Sequence, residues 1–409
     1  MRGRELVGQR SETVRRANLS AIARELHGRG ALSRSELVAR TGLTRSAIRG
    51  LISEFVAASL VVETRSEPDG LPGRPSPLVQ PGCEAAVVLA LEIAVDSLAA
   101  AIVGLDGSII ELLRVDRSRG HSSAEEVTGD LVQLTGRLRH LPRLRPVLLG
   151  VGVAIVGVVR REDGLVSTAP NLGWRDVPLG ARLSAALDMG VPAFIANDAD
   201  LGALIELRRG AARGADDLLF IAGEVGVGGG IVVAGRPLTG VAGYAGEIGH
   251  ISVNPGGRRC RCGSIGCWET EIGEEALLRR AGMPPGGGGQ AVDRVVAGAT
   301  AGEERALAAV NEVGRWLGIG IAGLVNVLNP RVVVLGGLFS RLAPILVPRV
   351  EEALDTFALP APRANVRVAP AELGIDAPLL GAAELAFEPF LADPAAWLGV
   401  RDEVAAATA

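Results

Sequence analysis

Gly246–Glu269 reads GEIGHISVNPGGRRCRCGSIGCWE and holds three of the chain's four cysteines and one of its four histidines. His250, Cys260, Cys262 and Cys267 stand in the spacing H-x9-C-x-C-x4-C. Three thiolates and an imidazole suit a four-coordinate structural Zn2+ held tetrahedrally by S and N ligands. Four good ligands leave no open position for a catalytic ion. Buried free thiols are the plainer alternative, and the ligand spacing argues against it. Glu247 and Glu269 bracket the cluster. Singly they read as solvated loop charges; beside a metal-folded loop they are placed to grip a small polar ligand.

Outward from this loop, the chain falls into segments of different texture. Over 13–80, Leu19, Ile22 and Leu26 recur at helical spacing, and Gly28 and Gly30 stop that helix. Ser33-x-x-Glu36 is a capping box for a second helix with Leu37 and Val38 inward. A tight turn, Thr41-Gly42-Leu43, leads to a third helix capped by Thr44, with Ile48, Leu51, Ile52 and Phe55 on one stripe and Arg45, Ser46 and Arg49 opposite. Leu60-Val61-Val62 and Leu78-Val79 are strands around a polar tip that ends Gly73-Arg74-Pro75. Helix, helix, short turn, helix and hairpin make a winged helix-turn-helix. A generic three-helix interaction module is the alternative. Thr44, Arg45, Ser46 and Arg49 sit where a recognition helix reaches base edges, and Arg74 sits where an extended arginine enters a minor groove.

Charge agrees. All 42 cationic side chains of the 409-residue protein are arginines. Residues 1–80 carry 13 of them against 8 acids, while the remainder is acidic and the whole chain has a net charge of -4. Only the first segment is therefore expected to meet a polyanion. A hydrophobic content of 48% allows a sizeable core, no apolar run reaches membrane-spanning length, and clustered cysteines with a lone Cys83 fit a reducing cytoplasm.

From Ala85 the pattern becomes α/β: two apolar strands, an Asp106-Gly107 hairpin turn, a His121–His140 helix, and a strand run opened by Pro146. Val191–Asp198 is a strand ending on Asn197-Asp198, and Ala199–Gly210 is a helix. Leu218–Val233 holds two strands about a glycine-rich turn, and Arg331 opens RVVVLGG. Pro284–Gly289 reads as a flexible loop, Leu379–Phe387 as a final helix, and Arg401–Ala409 as a weakly ordered tail. Strand sets alternating with helices, done twice, predict two α/β lobes with a cleft between them. The lobes are expected at 84–198, plus about 376–390, and at 199–375.

The stretches AGEIGHISVNPGG…CRCGSIGCWE (245–269), APNLGW (169–174), NDAD (197–200) and VVVLGG (332–337) resemble the ROK family of repressors, open reading frames and sugar kinases. The resemblance covers nearly the whole chain. It implies a two-lobed actin-like (ribonuclease H-like) fold, here behind a winged helix. It also implies a sugar site at Asn197, Asp198, Glu247, His250 and Glu269, with Asn171 joining the lining. A ring of hydroxyls asks for such amides and carboxylates, and His250 can ligate zinc with one nitrogen and meet a hydroxyl with the other. In the family's kinases Asp198 would be the catalytic base.

The nucleotide loops depart from the family pattern. D-x-G-G-T is replaced by Glu92-Ile93-Ala94-Val95-Asp96, and G-T-G-x-G-G-G by Glu224-Val225-Gly226-Val227-Gly228-Gly229-Gly230. Side chains now block close backbone approach, acids face where phosphates would sit, and no lysine compensates. Gly226–Gly230 then reads as a leftover loop. His27, His121 and His140 have no evident partners, and Trp174 and Trp268 read as packing residues.

These features point to a sugar-responsive transcriptional regulator, a repressor of carbohydrate genes, that binds double-stranded operator DNA as a homodimer or homotetramer and does not phosphorylate its effector. An ATP-dependent sugar kinase with an appended DNA-binding head is one rival; a repressor controlled by another protein, with a vestigial sugar pocket, is the second.

Overall fold

The computed structural model describes residues 7–64, 77–120, 122–144, 147–284 and 288–398. Arg74 and its Gly73–Pro75 tip, His121, Pro146 and the Arg401–Ala409 tail lie outside the described residues.

The first helix runs from Val7 to Arg29, starting before the expected residue 13. Gly30 ends it at φ +77°, donating its N–H to Leu26 O at 2.8 Å, a left-handed position that glycine adopts without strain. Arg34–Thr41 follows with the complete Ser33/Glu36 capping box. Arg45–Ala57 is capped by Thr44 and buries Ile48, Leu51, Ile52 and Phe55 on one side. Strands Val61–Thr64 and Leu78–Pro81 pair antiparallel, and a short strand the sequence did not disclose, Leu32–Ser33, adds to the second of them. Arg34 ties the second helix to the wing through Glu63 at 2.6 and 2.7 Å.

Behind this head stand two five-stranded sheets of the same design. In the first, the order is Ala193–Asn197, Leu148–Ile155, Val87–Ile93, Ser97–Gly104, Ile109–Asp116. In the second it is Arg236–Pro237, Val227–Val233, Leu218–Gly223, Val332–Gly337, Arg367–Pro370. Each sheet begins with an antiparallel hairpin set and continues with parallel strands from the hairpin's first member. This duplicated α/β architecture is the two-lobed actin-like fold. A smaller antiparallel sheet (Val158–Arg160, Leu165–Ala169, Trp174–Pro178) is inserted in the first lobe and carries the APNLGW turn between its last two strands.

Three expected elements differ. The His121–His140 helix is shorter, Ala124–Gly136, with a turn of helix at Leu141–Leu144. Pro284–Gly289 is cut into by the Gly288–Thr300 helix. The C-terminal helix is longer than its apolar run, Ala377–Ala392, and Ala395–Leu398 follows it.

The two lobes meet on a pair of helices, Asp198–Arg209 and Ala377–Ala392. Contact is so close that a Cβ on Gly381 would lie 2.2 Å from Leu201 O, and one on Gly152 would lie 1.9 Å from Ala382 O. One continuous buried cluster runs from Leu19, Ile22 and Leu26 of the head into Val88 and Ala90 of the first sheet and Phe387 and Phe390 of the C-terminal helix. The head is thus seated on the first lobe by shared apolar packing, which is the main stabilising term available. Among the described residues no helix is long and apolar enough to cross a membrane.

Candidate functional site

Asn171, Asn197, Asp198, Glu247, His250 and Glu269 all line one cleft of about 750 Å³ between the lobes. Strand Ala193–Asn197 delivers Asn197 and Asp198 to the N-terminus of the following helix. Asn197 Oδ1 caps that helix, accepting from Ala199 N at 2.9 Å and Asp200 N at 3.1 Å, while its Nδ2 donates to Gly157 O at 3.0 Å. Capping and cleft lining are therefore held by one side chain. Asp198 Oδ1 also accepts from Ala199 N at 2.9 Å. Burial, then the charges of Glu92 and Glu247, push the Asp198 carboxyl up to about 7. Glu247 is raised as well, by burial first, with Asp200 and Glu269 adding to it and His250 opposing.

The Gly246–Glu269 loop brings the other half. The ligating atoms of His250, Cys260, Cys262 and Cys267 all lie within 4.8 Å of one another. His250 Nδ1 lies 3.7 Å from Cys260 Sγ, and Cys262 Sγ lies 3.6 Å from Cys267 Sγ. A tetrahedral ion with metal–sulfur bonds of about 2.3 Å separates its thiolates by about 3.8 Å, so the cluster has the dimensions to hold one metal ion. Burial pushes the Cys260 thiol up to about 12, so a metal binding there displaces protons. Nδ1 of His250 faces the thiols, whereas Nε2 lies 3.9 Å from Glu247 Oε2 on the cleft side. One imidazole thus joins metal cluster to cleft.

Glu269 Oε2 accepts from Val227 N at 3.1 Å. A Cβ on Gly226 would meet that carboxylate at 2.5 Å. A Cβ on Gly229 would meet Ile248 at 2.3 Å, and one on Gly230 would meet Ala203 Cβ at 2.5 Å and Ala199 O at 2.6 Å. Beyond the reading of Gly226–Gly230 as a leftover loop, its glycines have a packing role. These glycines seat the metal loop on one face and the Asp198–Arg209 helix on the other, whatever becomes of phosphate binding.

Glu92 and Asp96 flank Val95, which lines the cleft, and are themselves held in ion pairs beside it. Glu92, 5% exposed, pairs with Arg114 at 2.8 Å, and Arg114 reaches Asp376 at 2.9 Å. Asp96 pairs with Arg119 at 2.8 Å, and Arg119 also grips Glu274 of the second lobe at 2.6 and 2.9 Å. No lysine compensates these acids, as the sequence implies; for Glu92 and Asp96 arginines do it, from positions the sequence pattern does not connect to them. Glu224 has no ion-pair partner among the described residues. Its carboxyl is pushed up to about 8 by desolvation, then by Asp198, Glu92 and Asp96, with Arg114 opposing; the residue is nonetheless exposed at the surface, so the rise counts for less in stability.

Trp268 is buried and donates to Trp316 O at 2.8 Å, as expected of a packing residue; Trp174, also buried, donates to Ser122 O at 2.7 Å but lines the cleft as well. His140 and His27 are not partnerless. His140 Nδ1 lies 2.9 Å from Glu111 Oε2, and His27, 3% exposed, has Nε2 2.9 Å from Glu384 Oε2.

On the head, Thr44 Oγ1 accepts from Ala47 N at 3.2 Å, and Arg45, Ser46 and Arg49 are exposed beside it. Neither arginine has an acidic partner among the described residues.

Residues 88–388 match the ROK family. The chain belongs to that family. It is 26% identical over 381 residues to the xylose repressor of Bacillus subtilis, covering 92% of this chain and 97% of the repressor. It is 34% identical over 289 residues to a glucokinase of Halalkalibacterium halodurans, covering 67% of this chain and 87% of the enzyme. The crystal structure of a ROK family transcriptional regulator, a homologue of the Escherichia coli MLC protein, superposes with a TM-score of 0.76 at 25% identity over 93% of this chain and 97% of that one. Likeness to this ROK regulator and to the xylose repressor includes the head; likeness to the glucokinase spans two-thirds of the chain.

Proposed function

We propose that this ROK protein is a sugar-responsive transcriptional repressor that binds operator DNA through its winged head and a sugar in the interlobe cleft, and releases the sugar unchanged. The observation that carries the reading is the coexistence of both machineries in one chain: exposed, unpaired Arg45 and Arg49 on a helix with its N-cap formed, and a cleft where Asn171, Asn197, Asp198, Glu247, His250 and Glu269 converge. Near full-length similarity to repressors supports it. Asn197 and the carboxylates would accept and donate to hydroxyls, His250 Nε2 would join them, and His250, Cys260, Cys262 and Cys267 would hold a structural zinc that fixes the loop. Thr44, Arg45, Ser46, Arg49 and Arg74 would contact DNA. A two-fold assembly in the cytoplasm would match a palindromic operator.

Fluorescence-anisotropy titration of operator DNA against a panel of pentoses, hexoses and their phosphates tests the reading. One or more should change operator affinity by roughly tenfold; a chain that binds its operator equally with every sugar refutes the effector half.

One observation favours a second reading, an ATP-dependent sugar kinase. Asp198 is retained, and its carboxyl sits near neutrality, where a general base works best. ADP release with Mg-ATP across the same panel decides between them. Turnover that disappears in Asp198→Asn establishes the kinase; none is expected, because Glu92, Asp96 and Glu224 occupy the nucleotide loops.

A further inference from the structure

One helix reaches from the sugar cleft to the DNA-binding head. Its first turn, at Asn197 and Asp198, lines the cleft. Its last residues, Arg208 and Arg209, lie about 18 Å further on at the usual rise per residue. Arg209 is wholly committed there: Nε donates to Glu384 Oε1 at 2.7 Å, Nη1 to Asp106 O at 2.8 Å, and Nη2 to His27 O at 2.9 Å. His27 belongs to the head's first helix. Its Nδ1 donates to Leu105 O at 2.6 Å. Arg208 Nη1 donates to the other Glu384 oxygen at 2.6 Å and also pairs with Glu388, which Arg24 of the head meets at 3.1 Å.

Glu384 is 2% exposed. Burial works against its charge, but His27, Arg208 and Arg209 outweigh that and hold the carboxyl well below its usual range. Such a site tolerates little displacement, since a carboxylate parted from its guanidinium partners would be left buried and unpaired. The hairpin tip beside it is shaped for the same contact. Gly107, at φ +81°, has the Arg209 guanidinium where its Cβ would be, 2.4 Å away.

Between its ends the helix has no slack. Residues 199–206 are buried. Cβ atoms on Gly228 and Gly230 would strike Ala199 and Ala203, a Cβ on Gly202 would strike Phe220 at 2.7 Å, and one on Gly381 would strike Leu201 O. An element packed this closely moves as a body, because interiors at crystal-like density transmit strain rather than absorb it.

We infer that the Asp198–Arg209 helix carries the state of the cleft to the DNA-binding head, with Arg208 and Arg209 as the positioning residues that convert its displacement into a shift of the Val7–Arg29 helix. The inference rests on the proposed sugar-responsive reading and assigns its route. A sugar that pulls on Asn197 or Asp198 tugs the far end against Glu384 and His27, and the seating of the head on the body is what the ligand would bias.

The test compares full-length wild type with Arg209→Gln, and with Glu384→Gln should the first variant melt early. D-xylose and D-glucose are the probes, with calorimetry for sugar binding, anisotropy for operator binding, and hydrogen exchange over 19–29 for the head helix. In the variant, sugar affinity and sugar-free operator affinity should stay within about threefold of wild type, while a roughly tenfold sugar effect on operator affinity falls below about twofold. A merely structural role would lower thermal stability and leave that ratio alone. An undiminished ratio in a folded variant that still binds sugar overturns the route. Should neither sugar bind wild type, the sugar reading itself is in doubt, and the route is then read without ligand. Asn197→Ala should loosen exchange protection over 19–29, and Arg209→Gln should cancel that effect in the double variant. Unaltered protection in Asn197→Ala refutes the route independently of any sugar.

Discussion

Two sets of polar groups, one lining the cleft and one beside it, have been treated differently. In the cleft, Asn197, Asp198, Glu247, His250 and Glu269 face open space with much of their hydrogen-bonding capacity unspent. Beside the cleft, Glu92, Asp96, Arg114, Arg119, Glu274 and Asp376 have paired with one another across separate elements. Polar groups with unspent capacity are what a ligand needs; polar groups that satisfy each other are structure. Arg119, held by Asp96 and Glu274, ties one lobe to the other, and the bare backbone of Gly228–Gly230 lets Ile248 and the Asp198–Arg209 helix pack against it.

The contrast breaks most completely if the metal loop goes. Structural zinc sites commonly contribute on the order of 10 kcal/mol to the order of what they fold. Cys267→Ser, or chelation, should therefore disorder 246–269 and abolish any sugar response while operator binding persists. Metal analysis beside the anisotropy assay checks this. A metal-free protein with a wild-type sugar response would mean that the loop's packing on Gly229 suffices by itself.

Next in size is the cleft-lining set itself. Glu247→Gln or Glu269→Gln removes a charged acceptor, which is worth about 1.5–3 kcal/mol, so sugar affinity measured by calorimetry should fall roughly tenfold to a hundredfold. Melting temperature should hardly move. The reverse is expected of the paired set. Arg119→Ala leaves Asp96 and the buried Glu274 without their partner. Breaking a fully buried pair costs several kcal/mol, and Arg119 is a quarter exposed, so about 1–2 kcal/mol is a fair discounted figure. Denaturant unfolding should show that loss, with sugar affinity nearly unchanged. A variant that loses sugar binding instead would erase the distinction between the two sets.

The cleft-lining set was legible in the sequence and the paired set was not, for a physical reason. The side chains that could hold a metal and the carboxylates that line the cleft are confined to short motifs whose chemistry is local, so H-x9-C-x-C-x4-C and Asn197-Asp198 stand out as candidates. The winged head declared itself through caps and apolar stripes in the same way, down to Ser33/Glu36 and Ile48–Phe55. Arg119 and Glu274, or His27 and Glu384, are 155 and 357 positions apart. Nothing in residue type or periodicity couples them until the two lobes and the C-terminal helix have assembled. Glycine disclosed only part of its role. Gly228–Gly230 read as the remains of a phosphate loop because bare backbone suits an anion, and it suits an apposed helix equally well.

Glu224 tests the comparison most finely, because it lines the cleft near Glu92 and Asp96 yet makes no ion pair among the described residues. Its carboxyl is raised to about 8, and that of Asp198 to about 7, from values near 4 in the unfolded chain. Between about pH 4 and pH 8 the folded protein therefore binds more protons than the unfolded one, so its stability falls as pH rises through that window. Glu224→Gln removes the part due to Glu224. The variant should melt a little higher than wild type at pH 9, and the two should coincide below pH 4. Because the residue is exposed the gain should be small, below about 1 kcal/mol, and differential scanning calorimetry across the range would resolve it. An equal shift at both extremes would mean the substitution acts through packing. A loss of stability at pH 9 would mean that Glu224 does have a cationic partner, and the two sets would then differ less than the arginine pairs suggest.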